Sequence, residues 1–241
     1  MRILITNDDG IDSEGIRRLV SWAKKLGEVV VCAPKVQQSG KSHGIEIHEA
    51  FEVKKYDFDG EILAYSVDST PADCVRFGVI GLKKDYDLIL SGINRGYNVG
   101  EDVIYSGTVA AAFEARALGH KAIAFSTDVA GFDFAAAELD GIYDYFCKNR
   151  LFDYADIYNV NIPCEKSKGI KITRQGDKYY HDEFVEETRD YYRACGGCIY
   201  VRRDAPKDDT EAVLDGYVSV TPMTLDRTDR VAFEKLGSVI K

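Results

Sequence analysis

The sequence predicts an α/β protein built on a doubly wound, mostly parallel sheet, with an antiparallel, hairpin-forming extension toward the C-terminal end. Three observations carry that prediction. Short β-branched runs alternate with helical patterns over the first 130 or so residues, the order that builds a parallel sheet with helices on its faces. Between Ile45 and Ser66 the pattern changes to alternating short runs, Phe51-Glu52-Val53 and Ile62-Leu63-Ala64-Tyr65, as in a hairpin inserted at a sheet edge. From about Asn159 to Val220 strand-like segments dominate again, rich in tyrosine and charge.

Taken in order, residues 3–6 read as a strand and residues 13–26 as a helix, with Ile16, Leu19, Val20, Ala23 and Leu26 at helical spacing. Residues 29–33 form the next strand, stopped by Pro34. Thr70 followed by Pro71 is an N-cap with proline at the first helical position, opening a helix through Leu82. Residues 87–90 and 121–126 read as strands around an alanine-rich helix over 106–118. Tyr179, Tyr180, Tyr191, Tyr192 and Tyr200 mark an antiparallel excursion, read as an arm. The tyrosines could form a ligand platform, but exposed hairpin faces commonly carry them, and subunit contact is the preferred reading. A closing helix is expected over 229–240. The whole of 1–241 is read as one domain, with 1–130 as its core and 159–241 as a strand-rich extension carrying the hairpin arm and closing helix.

Hydrophobic residues make up 45% and charged residues 29%, ordinary globular composition. Acidic side chains outnumber basic ones, 40 to 31, giving a formal charge of −9. That balance argues against gripping a nucleic-acid polymer, but a bound cation can reverse the local field for a small anionic substrate. No apolar run approaches the ~18 residues of a membrane span. The residues after Met1 lack a signal-peptide pattern. Six scattered cysteines, several in apolar runs, read as reduced thiols, so a cytoplasmic location is expected. The one close pair, Cys195-Gly196-Gly197-Cys198, has neither a second pair nor a following helix, and is read as two packed thiols.

Four motifs carry chemistry. Asn7-Asp8-Asp9-Gly10 stands at the carboxyl end of the first strand, where open α/β sheets bind ligands. Adjacent carboxylates repel, and two roles fit them: oxygen donors for a hard divalent ion, or a plain turn. Gln37-Gln38-Ser39-Gly40-Lys41-Ser42 resembles the tail of a P-loop, yet the required upstream glycine position holds Lys35. What remains is a loop offering a hydroxyl to a metal and backbone N–H groups to an anion. In the Ser91–Gly100 stretch, Asn94 supplies a neutral oxygen and the glycines allow close backbone approach. Ser106 caps the alanine-rich helix, whose first free N–H groups form an anion site.

With three strand exits converging on one crevice, phosphate binding is the better reading of that helix start. Gly40, Ser42, Ser106, Gly107 and Thr108 are the candidate phosphate-binding positions. His43, His48, His120 and His181 lie in unrelated contexts and argue against zinc and against a Ser-His-Asp hydrolase. His43, beside the Ser39 loop, is read as a solvated side chain that could still assist proton transfer.

Asn7-Asp8-Asp9-Gly10, Ser39-Gly40-x-Ser42, Thr70-Pro71-Ala72-Asp73-Cys74, Ser91-Gly92-Ile93-Asn94 with Gly96 and Asn98, and Tyr105-Ser106-Gly107-Thr108-Val109-Ala110-Ala111-Ala112 together resemble the SurE survival-protein family. Asn161-Ile162-Pro163, Thr173-Arg174 and Asp215–Pro222 extend the resemblance over nearly the whole chain. It implies a Rossmann-like fold with a swapped C-terminal segment and a projecting hairpin, assembled as a homodimer or homotetramer. It also implies a divalent-metal-dependent phosphatase acting on nucleoside monophosphates, chiefly 5′-nucleotides, with 3′-nucleotides and short polyphosphates as further substrates in some members. One divalent cation per subunit, Mg²⁺ or Mn²⁺, would be held by the residues matching Asp8, Asp9, Ser39 and Asn94. Lys41 and His43 depart from the family pattern, as does the 207–213 stretch.

The expected chemistry is metal-assisted phosphomonoester hydrolysis, with Asp8 and Asp9 as the catalytic pair and the general base unassigned between them. A haloacid-dehalogenase-type phosphatase places its acids two apart as Asp-x-Asp, whereas these aspartates are adjacent. A receiver module needs an acceptor aspartate ending its third strand, but Asp87 begins that run. A non-catalytic regulatory protein that binds metal and nucleotide is the remaining alternative, since binding and hydrolysis use the same ligands.

Overall fold

The computed structural model describes residues 1–58, 60 and 62–239. The elements in chain order are β1 (Arg2–Thr6), α1 (Glu14–Ala23), β2 (Glu28–Pro34), β3 (Val53–Phe58), β4 (Ile62–Val67), α2 (Pro71–Arg76), β5 (Leu88–Arg95), α3 (Gly107–Ala117), β6 (Ala122–Thr127), α4 (Phe132–Lys148), β7 (Ile157–Ile162), β8 (Ile170–Ile172), β9 (Tyr180–Thr188), β10 (Tyr191–Cys198), α5 (Asp209–Leu214), β11 (Val218–Met223) and α6 (Arg230–Val239). Among the described residues nine strands form one sheet in the order β3-β4-β2-β1-β5-β6-β7-β11-β8, and β9 and β10 form a separate ribbon. From β4 through β7 the pairing is parallel. β3 and β11 run antiparallel to β4 and β7.

From β1 the chain winds outward through β2 to β4, then returns to β5 on the other flank and continues through β6 to β7. The winding direction therefore reverses between β1 and β5, and their carboxyl ends flank the crevice where such sheets bind ligands. Both faces of the sheet are buried. Ile3, Ile5, Val29 and Val31 pack under α1 and α4, while Leu4, Val30 and Cys32 pack under α2 and α3. This two-sided burial is why these strands read as continuous apolar runs rather than alternating ones.

The hairpin β3–β4 is at the sheet edge as expected, with β4 pairing parallel with β2. Several other elements differ from expectation. The helix begun by Thr70 and Pro71 has regular α geometry only to Arg76, then continues as a π turn over Phe77–Gly81. β5 extends past residue 90 to Arg95, with a register break between Ser91 and Asn94. α4 was not expected from the patterns above. Ala135, Leu139, Ile142 and Phe146 form its buried face, and Trp22 of α1 donates to Asp140 Oδ1 at 2.8 Å. Ile240, the last residue of the expected closing helix, lies outside the described residues. No helix among the described residues is long and apolar enough to cross a membrane.

Candidate active site

The first carboxylate, Asp8, follows β1 directly and is only 5% exposed. Apolar side chains of both cores surround the strand that carries it, so its position is set by the most buried part of the sheet. Asn7 stabilises the turn, its amide donating to Gly10 O at 2.9 Å and to Ser13 Oγ at 2.7 Å. Asp8 O accepts the Gln38 N–H at 2.7 Å, which ties the loop after β2 to the end of β1. Thr108 Oγ1, in the first turn of α3, donates to Asp8 Oδ1. Gly107 packs so closely that a Cβ there would lie 2.9 Å from Asp8 Cβ and 3.2 Å from Oδ2. The glycine is a steric requirement for bringing the helix N-terminus against the carboxylate.

Asp9 faces the end of β5, where its Oδ2 accepts the Arg95 N–H at 3.0 Å. The β5 end is itself pinned. A Cβ at Gly92, where φ is +131°, would meet Phe125 O at 2.3 Å. Asn94 Nδ2 donates to Gly96 O at 2.8 Å, leaving its oxygen as the free end of the amide. Asn98 O accepts from Asn159 at 2.7 Å and Asn161 at 2.9 Å, and Asn98 Nδ2 donates to Ser126 Oγ at 2.8 Å.

One cavity of about 690 Å³ joins these parts, lined by Asp8, Ser39, Gly40, Asn94 and Ser106 along one side. Burial pushes the Asp8 carboxyl from its ordinary 3.8 up to about 6; the Thr108 hydrogen bond opposes that and the charge of Asp9 adds to it. Burial also raises Asp9, against the Arg95 N–H and the Arg95 charge. Two desolvated carboxylates side by side, hydrogen-bonded to a hydroxyl and a backbone amide, form a site whose charge a cation would offset. The available donors are all oxygens: two carboxylates, the Ser39 hydroxyl and the Asn94 amide oxygen. Asn7 Oδ1 and Ser91 Oγ are further buried oxygens here without a hydrogen-bond partner. No group of three or more His, Cys, Asp or Glu side chains among the described residues is placed to hold a metal ion. The donor set fits a hard divalent ion and is wrong for zinc held by sulfur or imidazole.

The phosphate candidates separate. Ser106 Oγ accepts the Val109 N–H at 3.1 Å, so it caps α3 as its residue type predicts, and its own O–H donor remains available at the cavity wall it lines. Gly40 has φ +71° with open space around it. Ser42 lies away from the cavity wall: its Oγ donates to Ile104 O at 2.6 Å and its N–H to Tyr105 O at 3.1 Å, bracing the loop against the segment that leads into α3. His43 is not a solvated loop side chain. Its Nε2 sits 2.8 Å from Glu114 Oε2 on α3, and Glu114 also accepts from Arg76 at 2.9 Å. Cys195 and Cys198 are exposed on the ribbon rather than packed.

On the far wall of the cavity Tyr97, Asp102 and Tyr105 meet Tyr180, Asp182, Phe184 and Ala194 of the ribbon. Of these, sequence reasoning offers only Tyr180, as part of a ligand platform set second to subunit contact. It misses Asp209, a buried carboxylate that accepts the N–H groups of Gly100 at 3.1 Å and Gly176 at 2.9 Å and holds the extension against the loop before α3. A separate cavity of about 410 Å³ lies beside His43, Phe113 and Arg174 and lacks an acidic pair.

The model of the family described as "Survival protein SurE" matches residues 3–182. The chain belongs to the SurE survival-protein family. It is 40% identical to the 5′-nucleotidase SurE of Pelotomaculum thermopropionicum over 250 residues, spanning all of this chain and 96% of that protein. It is 41% identical to 5′-nucleotidase SurE 1 of Thermus thermophilus, spanning all of this chain and 98% of that protein. The crystal structure of the SurE protein from Aquifex aeolicus superposes with a TM-score of 0.83 at 37% identity, with both chains fully covered.

Proposed function

We propose that this chain is a divalent-metal-dependent phosphomonoesterase that hydrolyses nucleoside 5′-monophosphates to nucleoside and phosphate, with 3′-nucleotides and short polyphosphates as secondary substrates. The observation that carries the reading is the contact between buried Asp8, the first of the acidic pair, and the N-terminus of α3, with Gly107 and Thr108 packed on it. A cation site and an anion site then share one wall, which suits a phosphate bridging the two. The relatives' name, 5′-nucleotidase, agrees with it.

Asp8, Asp9, Ser39 and Asn94 are the residues that would hold one Mg²⁺ or Mn²⁺ per subunit. When bound, the ion neutralises the phosphate and acidifies a water for attack at phosphorus. The chain's own groups do the rest. The N–H groups of Gly107 and Thr108 hold the non-bridging oxygens where negative charge concentrates. The Gly40 backbone approaches the phosphate without a side chain in the way, and Ser42 fixes that loop from behind. The Thr108 hydroxyl orients Asp8, and the Arg95 N–H orients Asp9. Either carboxylate would serve to take the water's proton.

A homodimer or homotetramer fits the exposed parts. Every residue of β9 and β10 is exposed. α6 has no buried residue, while Val231, Phe233, Leu236 and Val239 face outward. An isolated two-stranded ribbon is marginal in water, and such a stripe on a helix calls for a partner. A cytoplasmic location is supported by the six free thiols.

The test is incubation of AMP with the protein and Mn²⁺, with and without EDTA, followed by assay of free phosphate. Phosphate release that needs Mn²⁺ and stops in EDTA is expected. AMP binding without phosphate release would make the chain a regulatory nucleotide-binding protein, and release unaffected by EDTA would remove the metal from the account.

A further inference from the structure

The β9–β10 ribbon does more than project. At its root, Asp102 Oδ2 accepts the N–H groups of Tyr179 at 2.7 Å and Tyr180 at 2.8 Å, latching the ribbon to the 3-10 segment that leads into α3. Tyr180, Asp182 and Phe184 alternate along β9 and so share one face. That face lines the cavity containing Asp8. Across the ladder, Ala194 pairs with Phe184, Gly196 with Asp182 and Cys198 with Tyr180. The facing strand therefore offers only small side chains on this side. A Cβ at Gly196 would come within 2.6 Å of Asp182 Oδ1 and 2.8 Å of His181 O, so a larger residue would disturb the face.

Two aromatic rings thus stand over a cleared surface. Phe184 is 74% exposed and Tyr180 is 38% exposed, positions that cost solvation unless something covers them. Tyr97 and Tyr105 line the same cavity from the core side. The cavity's volume of about 690 Å³ falls within the ~300–1,000 Å³ typical of small-molecule sites. It exceeds what a phosphate and an ion fill at the Asp8 end. Aromatic faces bind any nucleobase by stacking, without needing one hydrogen-bond pattern.

We infer that the ribbon face bearing Tyr180 and Phe184 is the base-binding half of the substrate site, so that the arm sets the preference for nucleotides over simpler phosphomonoesters. The inference rests on the nucleotidase reading and assigns residues to it. It makes the Cys195-Gly196-Gly197-Cys198 stretch a spacing device, with Gly196 and Cys198 keeping the face open, rather than a metal or redox motif.

The test uses the full-length chain in two measurements. The first is calorimetric titration with adenosine and with ribose, which involves neither phosphate nor metal. The second is the ratio of kcat/KM for AMP over that for ribose 5-phosphate, which keeps sugar and phosphate but lacks the base. Adenosine should bind to wild type and ribose should not. Phe184→Ala and Tyr180→Ala should each weaken adenosine binding and lower the AMP preference by about tenfold, which is about 1.4 kcal/mol. Phe184→Trp should keep both, because it restores a stacking face, whereas Phe184→Leu should not. An adenosine affinity unchanged in the alanine variants, or restored equally by leucine and tryptophan, overturns the inference. Adenosine binding that responds as stated in a protein releasing no phosphate from AMP would support this subsite while contradicting the nucleotidase reading.

Discussion

The end of β1 and the β9–β10 ribbon meet in one cavity but are built on opposite terms. Asp8 is buried and held by α3 through Thr108 and by a glycine contact that admits no side chain. The ribbon is exposed along both strands and is joined to the cavity through Asp102 at its root. In the first region even one added methyl at Gly107 would collide with Asp8 and Pro71. In the second, the main restraint is a two-stranded ladder. The division matches what each would do: chemistry at phosphorus needs fixed donors, whereas recognition of a base tolerates a movable aromatic face. It also means that changes at the acidic end should abolish chemistry, changes on the ribbon face should alter the choice of substrate, and changes on the outward face of α6 should alter assembly with little effect on activity.

The largest expected effect is at Asp8. Asp8→Asn keeps an oxygen for the Thr108 hydroxyl but removes a charge from the pair. Losing several kcal/mol of electrostatic stabilisation should lower kcat/KM for AMP on the order of 10³-fold. In EDTA at pH 7 the variant should melt no lower than wild type, because burial already disfavours the ionised form of Asp8. A much lower melting temperature would make Asp8 a fold-holding residue and erase the contrast with the ribbon.

Next in size is the assembly. Phe233→Asp with Leu236→Asp places charge on the outward stripe of α6. Sedimentation velocity should show wild type as an oligomer and the double variant with a reduced mass. Substitutions at freely exposed positions of a monomer change stability by only about ±0.5 kcal/mol. An unchanged mass would show that this stripe contacts no second copy.

The smallest effect is expected at Glu114, which ties the Ser39 loop to α3 and α2 through His43 and Arg76. Its carboxyl is held below the ordinary 4.5, first by the His43 hydrogen bond, with Arg76 adding and desolvation opposing. A depressed carboxylate contributes stability above its unfolded pKa and loses it as pH falls through the lower folded value. Glu114→Gln should therefore cost ~1–3 kcal/mol at pH 7, with the gap to wild type narrowing below about pH 4.5 in thermal melts. A gap independent of pH would mean that the pairing contributes packing alone.

Local chemistry was legible in the sequence and long-range pairing was not. The caps at Thr70 and Ser106 depend on neighbours three residues away and appear as expected, with Asp73 N and Val109 N as their partners. The acidic pair was legible because it follows a strand directly, and strand exits are where such sheets bind ligands. The His43–Glu114 pair spans 71 positions, and no residue pattern announces it. The alternation of Tyr180, Asp182 and Phe184 marks a strand, but which cavity that strand would line depends on the Asp102 latch from a different element. α4 is a different case: Ala135, Leu139, Ile142 and Phe146 stand at helical spacing, but Gly131 at its start gives no side-chain cap and Gly141 interrupts the pattern. β5 outran its expected end because Ser91-Gly92-Ile93-Asn94, which looks like loop, pairs again with β6 at Asn94 after a break in register.

The central claim is that Asp8 and Asp9 jointly hold a divalent cation at the point where the sheet reverses direction. Calorimetric titration of the EDTA-treated, desalted protein with Mn²⁺ tests it most directly, comparing wild type with Asp9→Asn, which preserves shape but halves the charge of the pair. Wild type should take up one Mn²⁺ per chain, and its melting temperature should climb with free Mn²⁺, by about 2.7 kcal/mol of stabilisation at a hundredfold excess over Kd. Asp9→Asn should bind far more weakly and show little of that rise. Equal Mn²⁺ affinity in the two proteins, or uptake that persists in Asp8→Asn and Asp9→Asn together, would contradict the account at its centre.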